Sequence, residues 1–473
     1  MKKTFASLVT VLALLSLFSC TSVSAYEASP LEKKMTDAVL RDDIAQVKAL
    51  LSQGASPNSL MPTSGAPVLS IVVKNNNIEM AKLLIKAGAN VNIKDRYGVS
   101  LLHQALKPPM MRLLLQSGAD MYAVYNLTTP YEDFAGRLLT TEEDKRKTMA
   151  QFKSLNLPKN MYDAAVKKSE SAWVTRQDII DVVNLYKDFE YNVNRQYEPR
   201  GNWGLLVVAA QVDNYEFLTE VISRTDANVN IRDKDDASLL NYLTRSDNKK
   251  RSDAEYGALL SLMMKKGLLI DAVCGGGKDE KTTALMIAAR KNHFGRVNAL
   301  VKAGANTKVL NENHRAAINF ARDFKIVKYL LDNGADPLNR DKWQQTTIFG
   351  QKDIAVIELL LSKGVKLNDE STDGETVLFS VTDPKVTEYL IKRGIDINHT
   401  EKNTWSVMES DVSQIIEGLK FDEDYQDLFI PKFKVLMKHG IDKKHVQNAY
   451  KMMRGKEDIL EKVAACFKSY LGK

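Results

Sequence analysis

Short apolar-periodic segments recur along this chain in pairs, and each pair ends at a glycine. In one well-formed example, apolar positions repeat at helical spacing over 285–290 and again over 294–303, with three polar residues between them. Gly304 follows the second segment directly. This pattern predicts a helix, a tight turn, a second helix and a left-handed glycine that ends it.

The same ending recurs in six other segments, which start at Leu50, Leu83, Leu113, Tyr329, Leu359 and Tyr389. Between the first apolar residue of a unit and its closing glycine, Leu69 to Gly88 spans 19 positions, as does Leu285 to Gly304. Four further units, which start at Leu102, Ile318, Ile348 and Leu378, span 16. Removing three residues shortens the first helix by about one turn. Such self-similarity predicts a stack of helix pairs that bury their apolar faces against each other.

These units resemble ankyrin repeats, in which a turn and a Thr-Pro-Leu-His segment open the first helix and Leu-Leu-x-x-Gly-Ala closes the second. The segment DRYGVSLLHQAL from Asp95 keeps the turn and His103, whereas TTALMIAARKNH at 282–293 matches without the Pro and His. The resemblance covers 31–122 and 203–398 and extends more weakly towards the C-terminus. It implies an all-α fold, an ankyrin-repeat α-solenoid of about ten degenerate helix-turn-helix repeats with short hairpin fingers and a helical insertion.

The patterns divide the chain into five predicted segments: a signal peptide at 1–25, N-terminal ankyrin repeats at 31–122, degenerate repeats with a helical insertion at 123–202, central and C-terminal ankyrin repeats at 203–440, and C-terminal capping helices at 441–473. Within 123–202, a charged segment predicts a helix that begins at a Thr140–Glu143 capping box. We favour eroded repeats with helical insertions here over a separate functional domain.

The N-terminus predicts export. Two lysines precede an uncharged, apolar-rich run at 5–18, which is shorter than the roughly twenty residues that span a bilayer. Such a segment is typical of a bacterial signal peptide. Small residues at 23 and 25 predict cleavage after Ala25, whereas 17–20 resembles the lipobox of a lipoprotein that is acylated at Cys20. Phe18 is unusual inside a lipobox and favours ordinary cleavage. We therefore expect a periplasmic protein, membrane-anchored if Cys20 is acylated, with secretion as the alternative.

The charge balance gives little reason to expect a nucleic-acid partner. The chain has 66 basic and 59 acidic residues, a net charge of +7. Removal of the two signal lysines leaves 64 − 59 = +5. Outside the signal, no apolar run approaches membrane-spanning length, so we expect no transmembrane segment in the mature chain.

The motifs that carry chemistry are poor. The segment CGGGKDEKTT begins at Cys274 and resembles a phosphate-binding loop, but it lacks the Ser or Thr that must follow the lysine. We therefore interpret it as a turn between repeats. His103 occupies the family position that bonds to backbone groups. His439 and His445 are six apart and do not share a helical face for a metal. The sequence therefore predicts a protein that is not an enzyme and that has no metal site and no cofactor.

Two cysteines remain after ordinary cleavage, Cys274 and Cys466, and an oxidising compartment favours their pairing. In a solenoid, however, each repeat contacts only its neighbours, and five repeat endings separate these residues. We therefore predict free or buried thiols.

In the ankyrin family, the hairpin tips and the exposed end of each first helix carry the contact residues. The register assigns the predicted partner-binding surface to Arg96, Tyr97, Lys234, Asp235, Arg290, Lys291, Asn313, Arg315, Lys342, Trp343, Gln345, Asp373, Lys402 and Trp405. Trp, Tyr and Arg are the residues that most often dominate interfaces. In the alternative interpretation, Trp343 or Trp405 packs inward as a plug between adjacent fingers.

Two functions fit this sequence. The first is a protein-binding module in the bacterial envelope that sequesters a protein partner of unknown identity; an immunity or inhibitor protein that neutralises an envelope-acting toxin is a specific form. The alternative is a secreted ankyrin effector that binds a host protein.

Overall fold

A computed structural model describes residues 29–126, 128–137, 140, 142–155, 159–197, 203–246, 251–276, 279–418, 423–456 and 460–472. The predicted signal peptide at 1–25 and the acylation candidate Cys20 lie outside these residues. The described chain is mostly helical and forms two compact units that divide between Val193 and Asn194. Within these ranges, none of the helices has both the length and the apolar character that a membrane crossing needs.

The first unit is a stack of short antiparallel helices. Its helices are α1 Pro30–Leu40, α2 Ile44–Ser52, α3 Val68–Lys74, α4 Ile78–Lys86, α5 Leu101–Gln104, α6 Pro108–Gln116, α7 Pro130–Ala135, α8 Glu142–Ser154, α9 Lys159–Ala172 and α10 Arg176–Asp188. Helices α3 to α6 form two repeats in which first helix packs on first helix and second on second.

Helix α4 shows how the sequence sets each repeat. The Asn77 side chain accepts a hydrogen bond from the Met80 amide at 2.9 Å, which satisfies one free donor of the first turn. Met80 and Leu84 are fully buried on one face. At the other end, Gly88 has φ +95°, and the Ala89 amide donates to the Leu84 carbonyl at 3.0 Å. A residue with a Cβ is strained in this conformation, so the recurrent glycine is a requirement of the turn.

The helical insertion of the first unit lies between α7 and α10. Helices α8 and α9 pack on each other, whereas α10 packs on α6 and so stands where a second helix stands in a regular repeat. The glycine that is missing after α10 is replaced by Glu190, which adopts φ +54°. Thr140 does not show the predicted bond to Glu143; its hydroxyl accepts from the Val174 amide at 2.9 Å and so joins the insertion to the start of α10.

The second unit continues with helix pairs and two small antiparallel hairpins. Its elements are β1 Gln196–Tyr197, β2 Trp203–Gly204, α11 Leu205–Gln211, α12 Tyr215–Arg224, α13 Leu239–Arg245, α14 Asp253–Lys265, β3 Cys274–Gly276, β4 Asp279–Thr282, α15 Ala284–Arg290, α16 Phe294–Lys302, α17 Ala317–Phe320, α18 Phe324–Asp332, α19 Ile354–Ser362, a 3₁₀ helix Val377–Ser380, α20 Pro384–Lys392, α21 Val407–Gly418, a 3₁₀ helix Glu423–Leu428, α22 Ile430–Lys438, α23 Lys443–Met452 and α24 Glu461–Leu471.

Two first helices of the second unit are shortened as predicted, whereas the segment at Ile348 forms turns over 347–350 and no helix. Helix α15 has seven residues, whereas α17 has four and its counterpart at 377–380 is a single 3₁₀ turn. Gly304 has φ +99°, as the repeat pattern predicts. At the C-terminal end, α24 packs on α22 and α23 and buries Phe467 completely.

Both cysteines of the described residues are free, as predicted, with Cys274 buried and Cys466 half-buried. The glycine-rich segment after Cys274 forms the β3–β4 hairpin rather than an irregular turn, and its tip at 277–278 lies outside the described residues.

Candidate partner-binding surface

In the part of the chain that the structure describes, six five-residue turns, which we call fingers, stand at the start of repeats; they span 95–99, 233–237, 311–315, 341–345, 371–375 and 401–405. A helix or a 3₁₀ turn follows five of them, and further turns at 347–350 follow the finger at 341–345. In each finger, the amide of the first residue donates to the carbonyl of the fifth, as between Asp341 and Gln345 at 3.0 Å. The fourth residue always has a positive φ, +62° at Gln344.

In five fingers, a short polar side chain at the first position accepts two backbone hydrogen bonds across the turn. Asp341 Oδ1, for example, accepts from the amides of Trp343 at 2.9 Å and Gln345 at 3.0 Å. The other four acceptors are Asp95, Asp233, Asn311 and Ser371. Asp, Asn and Ser are suited to this role because their side-chain oxygen reaches amides two and four residues ahead.

Neighbouring fingers of the second unit are joined by backbone hydrogen bonds. Three amides bridge successive fingers: Lys342 to the Asn313 carbonyl at 2.9 Å, Thr372 to the Trp343 carbonyl at 2.7 Å, and Lys402 to the Asp373 carbonyl at 2.9 Å. The four fingers from 311 to 405 therefore form one continuous structure, which we call the finger row.

The β3–β4 hairpin links the finger row to the finger at 233–237. Asn311 Nδ2 donates to the Lys281 carbonyl at 3.0 Å. On the other side of the hairpin, Lys281 Nζ lies 3.6 Å from a carboxylate oxygen of Asp236. The predicted residues Lys234 and Asp235 are exposed on that finger.

Twelve of the fourteen predicted surface residues belong to the second unit. Ten of them lie in its fingers, and Arg290 and Lys291 lie at the end of α15. Arg96 and Tyr97 lie on the finger of the first unit. There, the Arg96 guanidinium is 4.7 Å from the centre of the Tyr97 ring, and Tyr97 is 65% exposed.

The tryptophans of the finger row are partly exposed. Trp343 is 36% exposed and Trp405 is 38% exposed, so neither is a buried plug between fingers. Cations flank the Trp343 ring, with the Arg315 guanidinium at 4.9 Å and Lys342 Nζ at 4.4 Å from its centre. These contacts hold the indole in place while one third of its surface stays available.

A groove of about 300 Å³ lies between the β3–β4 hairpin and the fingers at 311–315 and 341–345. We call it the arginine groove, because Arg290, Arg315 and Arg322 all line it. Phe320 forms part of its wall, with the guanidinium groups of Arg290 and Arg315 each 5.8 Å from the ring centre.

The three arginines of the groove differ in their partners. Arg315 is paired, with Nε 3.0 Å from Asp341 and Nη1 3.5 Å from Glu280. Arg322 instead donates through Nη1 to two backbone carbonyls, of Asn319 and Ala321, both at 2.9 Å. Partial desolvation of its guanidinium and the charge of Arg315 lower the pKa of Arg322.

The far end of the finger row is acidic. Burial raises the pKa of the half-buried Glu375, and the neighbouring carboxylates of Glu401 and Asp373 raise it further. The finger row is thus basic beside the arginine groove and acidic at the fingers 371–375 and 401–405.

Sequence reasoning missed several groove residues, namely Glu280, Phe320, Arg322, Asp341 and Thr346. The register of the repeats does not locate Arg322: counted from the first apolar residue of the unit, the counterpart of Arg290 is Asp323, and counted from the closing glycine it is Phe320. Within the described ranges, no group of three or more His, Cys, Asp or Glu residues is arranged to hold a metal ion.

Comparison with known proteins identifies the repeats. A family model described as ankyrin repeats in three copies matches residues 35–124 and 253–341. The mouse (Mus musculus) B-cell lymphoma 3 protein homolog is 40% identical over 77 residues, 16% of this chain and 17% of that protein. Human ankyrin repeat and SOCS box protein 14 is 38% identical over 88 residues, 18% of this chain and 14% of that protein.

The Arabidopsis thaliana potassium channel AKT2/3 is 34% identical over 91 residues, 18% of this chain and 11% of that protein. The chain thus spans less than one fifth of the length of each of these relatives. Among solved structures, the ankyrin repeat domain of Bcl-3 matches 63% of this chain and 99% of its own, with 16% identity and a TM-score of 0.34.

Proposed function

Because this chain belongs to the ankyrin-repeat family, we propose that it is a protein-binding module whose partner docks on the finger row and the arginine groove of the second unit. Ankyrin repeats indicate a protein–protein interaction module. The observation that carries the location is the finger row itself, where a row of turns joined through their backbones presents Trp343, Trp405 and the groove arginines to solvent. Partly exposed Trp and Arg side chains on a fixed backbone are the usual anchors of an interface.

We further propose that the protein works in the bacterial envelope, where it sequesters its partner without catalysis. The lysines, the apolar run and the small residues at 23 and 25 support export. An immunity or inhibitor protein against an envelope-acting toxin is the specific form that we favour. Secretion followed by binding of a host protein is the alternative, and it requires mature protein in the culture medium.

The location of the surface is tested by capture from envelope fractions, with tagged wild-type and variant chains compared by quantitative mass spectrometry. Trp343→Ala and Arg290→Glu should each lower the yield of the specific partner at least about tenfold. Lys302→Glu, an exposed change at the end of α16, is the matched control and should retain the partner. Equal capture by all four chains would place the interface elsewhere, and circular dichroism checks that each variant keeps its helices.

The N-terminal proposal has its own measurement. Intact mass of the purified mature protein distinguishes a chain that begins at Tyr26 from one that carries lipid on Cys20. Retention of the entire segment 1–25 in the exported protein would contradict both forms of processing.

A further inference from the structure

We propose that the arginine groove is a carboxylate-binding subsite, in which Arg290, Arg322 and the Thr346 hydroxyl hold an Asp or Glu side chain of the partner. This inference rests on the proposed function for the source of the carboxylate, but the subsite itself can be tested without the partner.

The first argument is charge. The groove contains three arginines but only two carboxylates, Glu280 and Asp341, and both carboxylates pair with Arg315. Among the described residues, neither Arg290 nor Arg322 pairs with a carboxylate. The charge of Arg315 already acts on Arg322, and a carboxylate with its four acceptor positions suits more than one guanidinium donor.

The second argument is an unpartnered hydroxyl. Thr346 is only 3% exposed, yet its Oγ1 has no hydrogen-bond partner among the described residues. A buried hydroxyl without a hydrogen bond lowers the stability of a folded protein. In the first unit, the corresponding Ser100 hydroxyl bonds to His103 at 2.8 Å, whereas in this repeat Phe349 replaces the histidine. Thr346 lines the groove, so a carboxylate oxygen there restores the missing bond.

The third argument is shape. Phe320 and Phe349, both nearly buried, line the groove beside the arginines and offer apolar surface to a methylene stem. A water molecule occupies about 30 Å³ of the liquid, so a groove of about 300 Å³ accommodates a carboxylate group with its stem. Arginine holds carboxylates through parallel hydrogen bonds, which lysine cannot do, and this favours a planar anion.

The probe is N-acetyl-glutamate N-methylamide, titrated into the full mature chain and followed by NMR of the arginine Nε–H groups and the Thr346 methyl group. N-acetyl-glutamine N-methylamide is the uncharged control, and inorganic phosphate is the control for a general anion site. We expect saturable shifts at Arg290, Arg322 and Thr346, and at least tenfold weaker binding of the glutamine probe. Equal binding of both amides, or binding of phosphate as tight as that of glutamate, would overturn the carboxylate assignment.

Matched variants assign the contacts. Arg290→Gln and Arg322→Gln should each weaken the glutamate probe about tenfold or more, and Thr346→Val about threefold or more, since Val removes only the hydroxyl from a similar shape. Thr376→Val is the control, because Thr376 is equally buried and unpartnered but does not line the groove. Loss of probe binding in Thr376→Val, or none in Thr346→Val, would contradict the role of the hydroxyl.

The experiments distinguish a failure of the carboxylate subsite from a failure of the proposed docking surface. If the glutamate probe does not bind but Trp343→Ala still abolishes capture of the partner, the carboxylate subsite is wrong and the protein-binding function stands. If the probe binds as described but neither Trp343→Ala nor Arg290→Glu alters capture, the subsite exists and the proposed docking surface is wrong.

Discussion

Replacement of Lys432 by methionine should destabilise the second unit by about 3–5 kcal/mol, the usual cost of breaking a buried ion pair. The Lys432 and Asp411 side chains are 0% and 1% exposed, and Nζ lies 2.8 Å and 3.1 Å from the two carboxylate oxygens. It also donates to the Leu378 carbonyl at 3.0 Å. At an effective dielectric constant of about 20, the attraction across 2.8 Å is about 6 kcal/mol. In the variant, Asp411 can take up a proton and become neutral, which offsets part of the lost attraction. The net loss in the free energy of unfolding is therefore smaller than the attraction energy.

The penalty should depend on pH. Burial raises the pKa of Asp411 to about 6 even beside Lys432, and the charge of Glu375 adds to the rise; without the lysine, the pKa rises further. The unfolded pKa of an aspartate is about 3.9. A carboxyl whose folded pKa is higher than this stabilises the fold fully at a pH below the unfolded pKa. This stabilisation is lost as the pH rises through the folded pKa. The deficit of Lys432→Met should therefore be smaller at about pH 5 than at about pH 8.

Urea unfolding followed by circular dichroism measures both effects. The slope of the free energy against urea rises with the size of the unfolding unit, so it is measured for each chain. The extrapolated free energy of unfolding should fall by about 3–5 kcal/mol at neutral pH, and the midpoint should fall with it. The double variant Lys432→Met/Asp411→Leu should recover most of the loss, because no charge remains buried. Lys462→Met is the surface control: its pair with Asp427 spans 2.6 Å but is about half exposed, so it should cost less than about 1 kcal/mol. A midpoint unchanged in Lys432→Met would refute the reasoning.

Three further outcomes are expected. Gly304→Val should destabilise by more than about 1 kcal/mol through backbone strain alone, because φ is +99° and no atom lies within 4 Å of the added Cβ; an unchanged denaturant midpoint would contradict this. Asp341→Ala removes two bonds within its finger and the pair with Arg315, and should cost about 2 kcal/mol in the same assay. Reductant should leave stability unchanged, because Cys274 and Cys466 are free; an intact mass lower by two protons before reduction would show a disulfide instead.

Local pattern was enough to predict the repeats. The closing glycine, the apolar spacing and the shortened first helices are properties of ten to twenty consecutive residues. The structure has them where the sequence places them, except at Ile348, where turns replace the predicted short helix. The register of the fingers follows from the same pattern, which is why the sequence alone predicts the positions of Trp343, Arg315 and Lys402 on them.

Local sequence patterns could not predict which side chains of different repeats contact each other. The apolar periodicity around Lys432 predicts a helix, but it does not show that the Lys432 ammonium group is buried. Its partner Asp411 lies 21 residues away on another helix. Arg322 and Thr346 line the same groove only because successive repeats stack. The Thr346 hydroxyl has no partner among the described residues, and Phe349 holds the histidine position of its repeat. The sequence shows this substitution but not that the hydroxyl is buried.

The construction of the fingers separates what holds the turn from what a partner meets. Each finger is built on the bond between the amide of its first residue and the carbonyl of its fifth, with a left-handed residue at its fourth position. Backbone hydrogen bonds also tie the fingers of the finger row to one another. The second and third residues of a finger, such as Lys342 and Trp343, enter that framework through their backbone, and the Trp343 ring also contacts the Arg315 guanidinium and Lys342 Nζ. Substitution at these two positions can therefore change the recognition chemistry of this surface one side chain at a time while the backbone of the fingers stays the same.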